Sequence, residues 1–139
     1  MPQKPRVSQS RRKMRKAFFT ANRGQIRKMM SSRLSKELRS SYGFKTFPIH
    51  SGDFVTITTG KFKNKEGKVL SVSRKTRKVT VEGCTNAKAS GGSVLYPLDP
   101  SNLIIKSLAL DEFRIKSLES KKARTESAKQ RYAAVVESN

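Results

Sequence analysis

Three lysines at alternate positions, Lys61, Lys63 and Lys65, lie between Gly60 and Gly67 in the stretch HSGDFVTITTGKFKNKEGKV, residues 50 to 69. Ammonium groups crowded in this way do one kind of chemistry well, the electrostatic capture of a polyanion. Glycine is favoured where φ must be positive or where another backbone approaches closely, and Asn64 is the non-glycine residue best suited to a left-handed turn position. The spacing therefore predicts a short rigid hairpin with a cationic tip. Such a tip loses less entropy on meeting a phosphate than a floppy segment does. Phe62, between two of the lysines, reads as a core residue rather than a stacking platform. Glu66 partly offsets Lys65, which leaves Lys61 and Lys63 as the stronger phosphate contacts.

Bond-making chemistry finds little to work with. His50 is the only histidine and Cys84 the only cysteine, with no acidic cluster beside either. A metal site and an internal disulfide are both excluded on that count, and a lone cysteine fits a reducing compartment. No pair of carboxylates stands at a spacing that suggests acid/base work. Met14, Met29 and Met30 read as packing residues. The expectation is a non-enzymatic protein with no cofactor and no metal.

The lysine tip has company. RRKMRK supplies Arg11, Arg12, Lys13, Arg15 and Lys16, and Arg23, Arg27 and Lys28 follow closely. SRKTRK, residues 73 to 78, reads as a second basic hairpin, in which Arg74, Lys75 and Arg77 are candidates. The two arginines suit a phosphate gripped by two donors. Lys and Arg total 31 against 10 Asp and Glu, a formal net charge of +21. A free globular protein gains nothing from such self-repulsion, so a partner of opposite sign is implied, nucleic acid first and an acidic membrane surface second. The membrane reading is weak, because no window approaches 18 apolar residues and the basic segments have no sustained apolar face. The N-terminus has no apolar secretory core. A transit-peptide reading is disfavoured because its basic residues come as a block, a pattern that also suits nuclear import.

Charge and composition then divide the chain into the parts that must position these groups. Residues 1–45 hold 14 basic residues and only Glu37 as an acid, and read as a basic arm with short helices. By itself the arm cannot bury enough apolar surface to offset its ordering cost, so it is expected to fold on its partner. Phe18, Phe19, Ile26, Met29 and Met30 are its docking residues. SSRLSKELRSSYG predicts a helix capped by Ser32, with Leu34, Leu38 and Tyr42 on one face and Gly43 at the left-handed end. Residues 46–110 carry short strands, at 53–58, 67–73, 77–83, 93–98 and 102–108, separated by turn signals. Short strands at this spacing in so small a segment predict a mainly β fold with a small barrel. Residues 111–139 predict a solvated helical extension with Asp111 as N-cap.

GDFVTITTGKFKNKEGKV resembles the KOW motif, the β-turn-β signature of small SH3-like barrels in ribosomal and transcription proteins. The motif alone leaves those two classes open. FFTANRGQIRKMMSSRLSKELRSSYGFKTFPIHSGD, upstream, resembles the large-subunit ribosomal protein twenty-four family in its eukaryotic and archaeal form. DPSNLIIKSLALD extends the resemblance to roughly residues 10 to 120. It implies a structural protein of the cytoplasmic large ribosomal subunit that binds ribosomal RNA near the peptide tunnel exit and acts in assembly. It further implies neighbouring ribosomal proteins as partners, no membrane insertion, no homo-oligomer, and nuclear passage during assembly in a nucleated cell. Carried onto this chain, Gly60, Lys61, Lys63, Gly67 and the arm from Arg11 to Lys16 would lie against RNA. This chain departs from the family in having Asn64 for the usual Gly, Arg33 for a frequent Pro, and a short, less basic tail. The alternative is a KOW-type transcription-elongation factor binding polymerase and nascent RNA.

Overall fold

The computed structural model describes residue 8 and residues 10–137; the remainder of the arm's start and the last two residues lie outside. Helices α1 (Arg11–Phe19) and α2 (Arg23–Met29) come first, then β1 (Ser31–Leu34), α3 (Lys36–Tyr42) and β2 (Thr46–Pro48). Strands β3 (Phe54–Ile57), β4 (Glu66–Ser73), β5 (Lys78–Ala87), β6 (Ser93–Leu98) and β7 (Leu103–Ser107) follow, and α4 (Glu112–Glu137) ends the described chain. The strands form one seven-stranded sheet in the order β2-β1-β7-β3-β4-β5-β6. It is mixed, since β1 runs parallel to β7 while every other neighbouring pair is antiparallel. The sheet is not closed by pairing of its edges, β2 and β6.

β4 bends the sheet. Its first three residues, Glu66 to Lys68, pair with β3, whereas Val69 to Ser73 pair with β5. An irregularity in register between Val69 and Ser71 marks the change, as expected where an extra residue raises local twist. At the bend a Cβ on Gly67 would lie 2.8 Å from the Glu82 carbonyl oxygen of β5. Only glycine lets the two backbones come that close. Alternation along the strands aims Val55, Ile57, Val79, Val81, Leu103 and Ile105 into a fully buried core.

The segment SSRLSKELRSSYG divides where its pattern predicts a single helix. Ser31–Leu34 is a strand, because it can pair on both edges, with Thr46–Pro48 and with Ile104–Ile105. Ser32 is therefore buried in the sheet, its hydroxyl donating to the Pro100 carbonyl at 2.7 Å, and it caps nothing. The N-cap is Ser35, which accepts from the Leu38 amide at 3.3 Å. Leu34 is buried from the strand, and only Leu38 and Tyr42 pack on the core from α3. Gly43 ends that helix at φ +76°, as its position predicts. Asp111 caps α4, accepting from the Arg114 amide at 2.8 Å. β1 and α3 thus bring residues of the predicted arm into the sheet's own framework. Among the described residues no helix is long and apolar enough to cross a membrane.

Candidate nucleic-acid interface

The tip between β3 and β4 is fixed by its own backbone. The Lys63 amide donates to Gly60 O at 3.1 Å, Asn64 N to Ile57 O at 2.8 Å, and Lys65 N to Phe62 O at 3.1 Å. Gly60 has φ +92° and Asn64 φ +64°, the two left-handed positions that this path requires. Phe62 points inward, buried and tilted against Tyr96 at 5.3 Å between ring centroids. The ammonium groups of Lys61 and Lys65 lie 5.7 and 5.3 Å from the centre of the same ring. Lys61 also donates to Asn86 Oδ1 at 3.0 Å, whereas Lys63 is exposed. The offset expected from Glu66 goes elsewhere: its carboxylate takes bonds from Lys106 and Thr56, which hold it below the ordinary carboxylate range, Lys106 chiefly. Glu66 is thus the partner of Lys106 and not of Lys65.

The second basic hairpin turns through Arg77 at φ +57°. Its guanidinium stacks on Phe18 of α1, 3.8 Å from the ring centroid. The Arg77 Nε is buried and has no hydrogen-bond partner, while Arg74 and Lys75 stay exposed. Arg77 therefore fastens α1 to the hairpin. α1 buries no residue of its own and holds Arg11, Arg12, Lys13, Arg15 and Lys16 exposed, with Arg15 over Phe19 at 5.0 Å. In α2, Asn22 and Gln25 form a reciprocal capping box, and Arg23, Arg27 and Lys28 are exposed. Met30 is buried and Ile26 packs on the core, so α2 is docked; Met29, Phe18 and Phe19 stay more than a third exposed.

The candidate cations fall in two places. Lys61 meets Asn86 near the end of β5, and Arg77 immediately precedes its start. Strand rise puts these clusters up to about 30 Å apart. The described residues contain three ion pairs, Lys78–Asp99, Lys106–Glu66 and Arg114–Asp53, and none uses a candidate cation.

Two features were not foreseen from the residues. Asp53 and Arg114 form a buried pair that locks the turn before β3 to α4; the signal was an aspartate standing alone in the stretch 46–60, which has no other acid and no lysine or arginine. The other is a groove of about 970 Å³ between α2 and α4, whose cations include Arg27, Lys28, Lys116, Lys121 and Arg124. On α4 the lining residues Lys116, Ser120 or Lys121, and Arg124 follow helical spacing and give one stripe, a signal open to a helical reading.

A protein-family model that describes the eukaryotic ribosomal proteins L26 and their archaeal counterparts of the L24 type matches residues 8–121. The chain belongs to this family. Within it, Large ribosomal subunit protein uL24A of Saccharomyces cerevisiae is 47% identical over 108 residues, 78% of this chain and 85% of its own length. Large ribosomal subunit protein uL24B of the same yeast is 46% identical over the same shares. Large ribosomal subunit protein uL24 of Dictyostelium discoideum is 41% identical over 128 residues, 92% of this chain and 91% of its own. The tip, both basic helices and the 73–78 hairpin all fall inside the matched region, whereas Arg124 lies beyond the family model.

Proposed function

We propose that the protein is a structural constituent of the large ribosomal subunit that binds ribosomal RNA through the tip at 60–67 and the basic arm. The carrying observation is that the candidate cations are exposed or stacked on aromatic rings, while the ion-pairing acids of the described residues engage other lysines and arginines. A surface so left is complementary to phosphate, and the RNA is recognised by backbone geometry and shape. The five antiparallel strands β7-β3-β4-β5-β6, bent at Gly67, are read as an SH3-like barrel carrying a KOW motif. The chain works without enzymatic activity, cofactor or self-association, beside other large-subunit proteins near the peptide tunnel exit. It joins the cytoplasmic ribosome after nuclear passage where the cell has a nucleus, and takes part in assembly and translation. The basic arm settles fully only on RNA, giving reach to a segment remote from the tip at an ordering cost.

Sedimentation tests the reading. The tagged protein is expected to cofractionate with large subunits and to stay there through a moderate salt wash. Recovery with RNA polymerase or with chromatin instead overturns it.

A further inference from the structure

We propose that the groove between α2 and α4 is an additional binding site for the phosphodiester backbone of a folded RNA segment. The proposal rests on the RNA-binding reading above and adds to it the α4 wall of the groove, which neither the tip nor the arm includes.

α4 sorts its charge by face. Phe113, Lys116, Ser117, Ser120, Lys121 and Arg124 line the groove. Three acids of the same helix, Glu112, Glu119 and Glu126, recur every seven residues, and none of them lines it. At 100° per residue they lie about 120–180° from Lys121 and Arg124, so those two cations reach the groove unneutralised, whereas Lys116 stands beside the acidic face. Arg27 and Lys28 supply more from α2.

Lys121 shows what this concentration does. Burial first, then Arg27 and Arg124, pull its ammonium below the ordinary lysine value of 10.5. A lysine so crowded by like charge gains most when an anion arrives. It is also preorganised, donating to the Thr46 carbonyl and lying 4.7 Å from the Phe44 ring centroid. Gly24, Ser31, Ser117 and Ser120 keep the lining small, so a phosphate can come close.

The site continues beyond the groove. Arg27 also borders a second cleft of about 560 Å³, lined further by His50, Ser71 and Arg74. A cationic track therefore runs from α4 past Arg27 to the 73–78 hairpin. A track of that extent suits a polymer with a charge on every nucleotide better than a short acidic peptide.

The test compares two charge-matched variants of α4. Lys116→Ala/Arg124→Ala removes two of the groove's five cations, and Lys122→Ala/Lys129→Ala removes two exposed lysines outside it. The full chain is titrated with deproteinised large-subunit ribosomal RNA across salt concentrations, and circular dichroism melts establish that both variants fold. The groove variant should lose about tenfold in affinity and about two units of salt slope, against at most about twofold for the other. Equal losses overturn the groove, as does an unchanged slope in the groove variant. So does displacement of the RNA by polyglutamate at lower charge concentration, which marks a peptide site. Failure of the unaltered chain to bind this RNA overturns the RNA-binding reading itself, an outcome separable from the others.

Discussion

The guanidinium of Arg114 meets the carboxylate of Asp53 with two parallel bonds, Nη1 to Oδ1 at 2.5 Å and Nη2 to Oδ2 at 2.7 Å. The side chains are 6% and 0% exposed. Asp53 also accepts from the amides of His50 and Ala109, both at 2.9 Å, and Arg114 donates to the carbonyls of Ala109 and Pro48. One ion pair thus joins the turn before β3, the end of β2 and the first turn of α4. It anchors the first turn of α4, the helix that forms one wall of the groove facing α2.

Removing one partner leaves the other charged and buried. Asp53→Ala should cost about 3–5 kcal/mol in urea unfolding, and Arg114→Ala a similar amount. The double variant should cost less than the sum by about 1–3 kcal/mol, because neither charge is then stranded. Additive losses would show that the pair does not act as a unit.

Gly60 and Gly67 bracket the same lysine loop for different reasons. Gly60→Ala meets no atom within 4 Å and is opposed only by φ +92°, at about 1–2 kcal/mol. Gly67→Ala has an ordinary φ but drives its methyl into the Glu82 carbonyl, so the sheet must part at its bend. Thermal unfolding should show Gly67→Ala as the more damaging, by at least about 1 kcal/mol. The opposite ranking would mean that the bend yields easily.

How much of this was legible in the sequence follows the range of the forces involved. The path of the tip is local: Gly60 and Asn64 take the left-handed positions and the loop's amides bond within it, as their types predict, while the inward Phe62 finds Tyr96 far along the chain. The caps at Gly43 and Asp111 are local too. Ser32 misled because its role depends on partners in β2 and, far along the chain, on β7, and strand pairing outweighed a helical period. The open, mixed sheet depends on that same parallel contact of β1 with β7. The contact of Arg77 with α1 was not legible, because nothing in SRKTRK announces Phe18, which arrives from a separate helix.

Arg77 holds α1 at a cost in backbone strain. Arg77→Gly relieves φ +57°, worth about 1 kcal/mol to the hairpin, yet removes the ring contact. Global stability should hold or rise, while amide hydrogen exchange in α1 accelerates severalfold. Phe18→Ala should accelerate α1 alike without the gain in stability. Unaltered exchange in both variants would show that α1 is held by something other than this stack.

Lys121 ties charge in the groove to pH. Its folded pKa lies below 10.5, so between that value and 10.5 the unfolded chain binds a proton that the folded chain has released. Stability from this group therefore rises with pH across that window, and below it the charged ammonium is a standing cost. A bound phosphate favours the charged form and raises the folded pKa, so RNA binding should take up protons there and weaken as pH climbs. A ¹³Cε NMR titration, with the Lys121 signal assigned through Lys121→Arg, reads both effects. The midpoint should fall below 10.5 in the free chain and move up on addition of a 2′-O-methyl RNA duplex, which resists alkaline cleavage. A midpoint that ignores the duplex would remove Lys121 from the phosphate contacts, because an anion within reach must favour its proton.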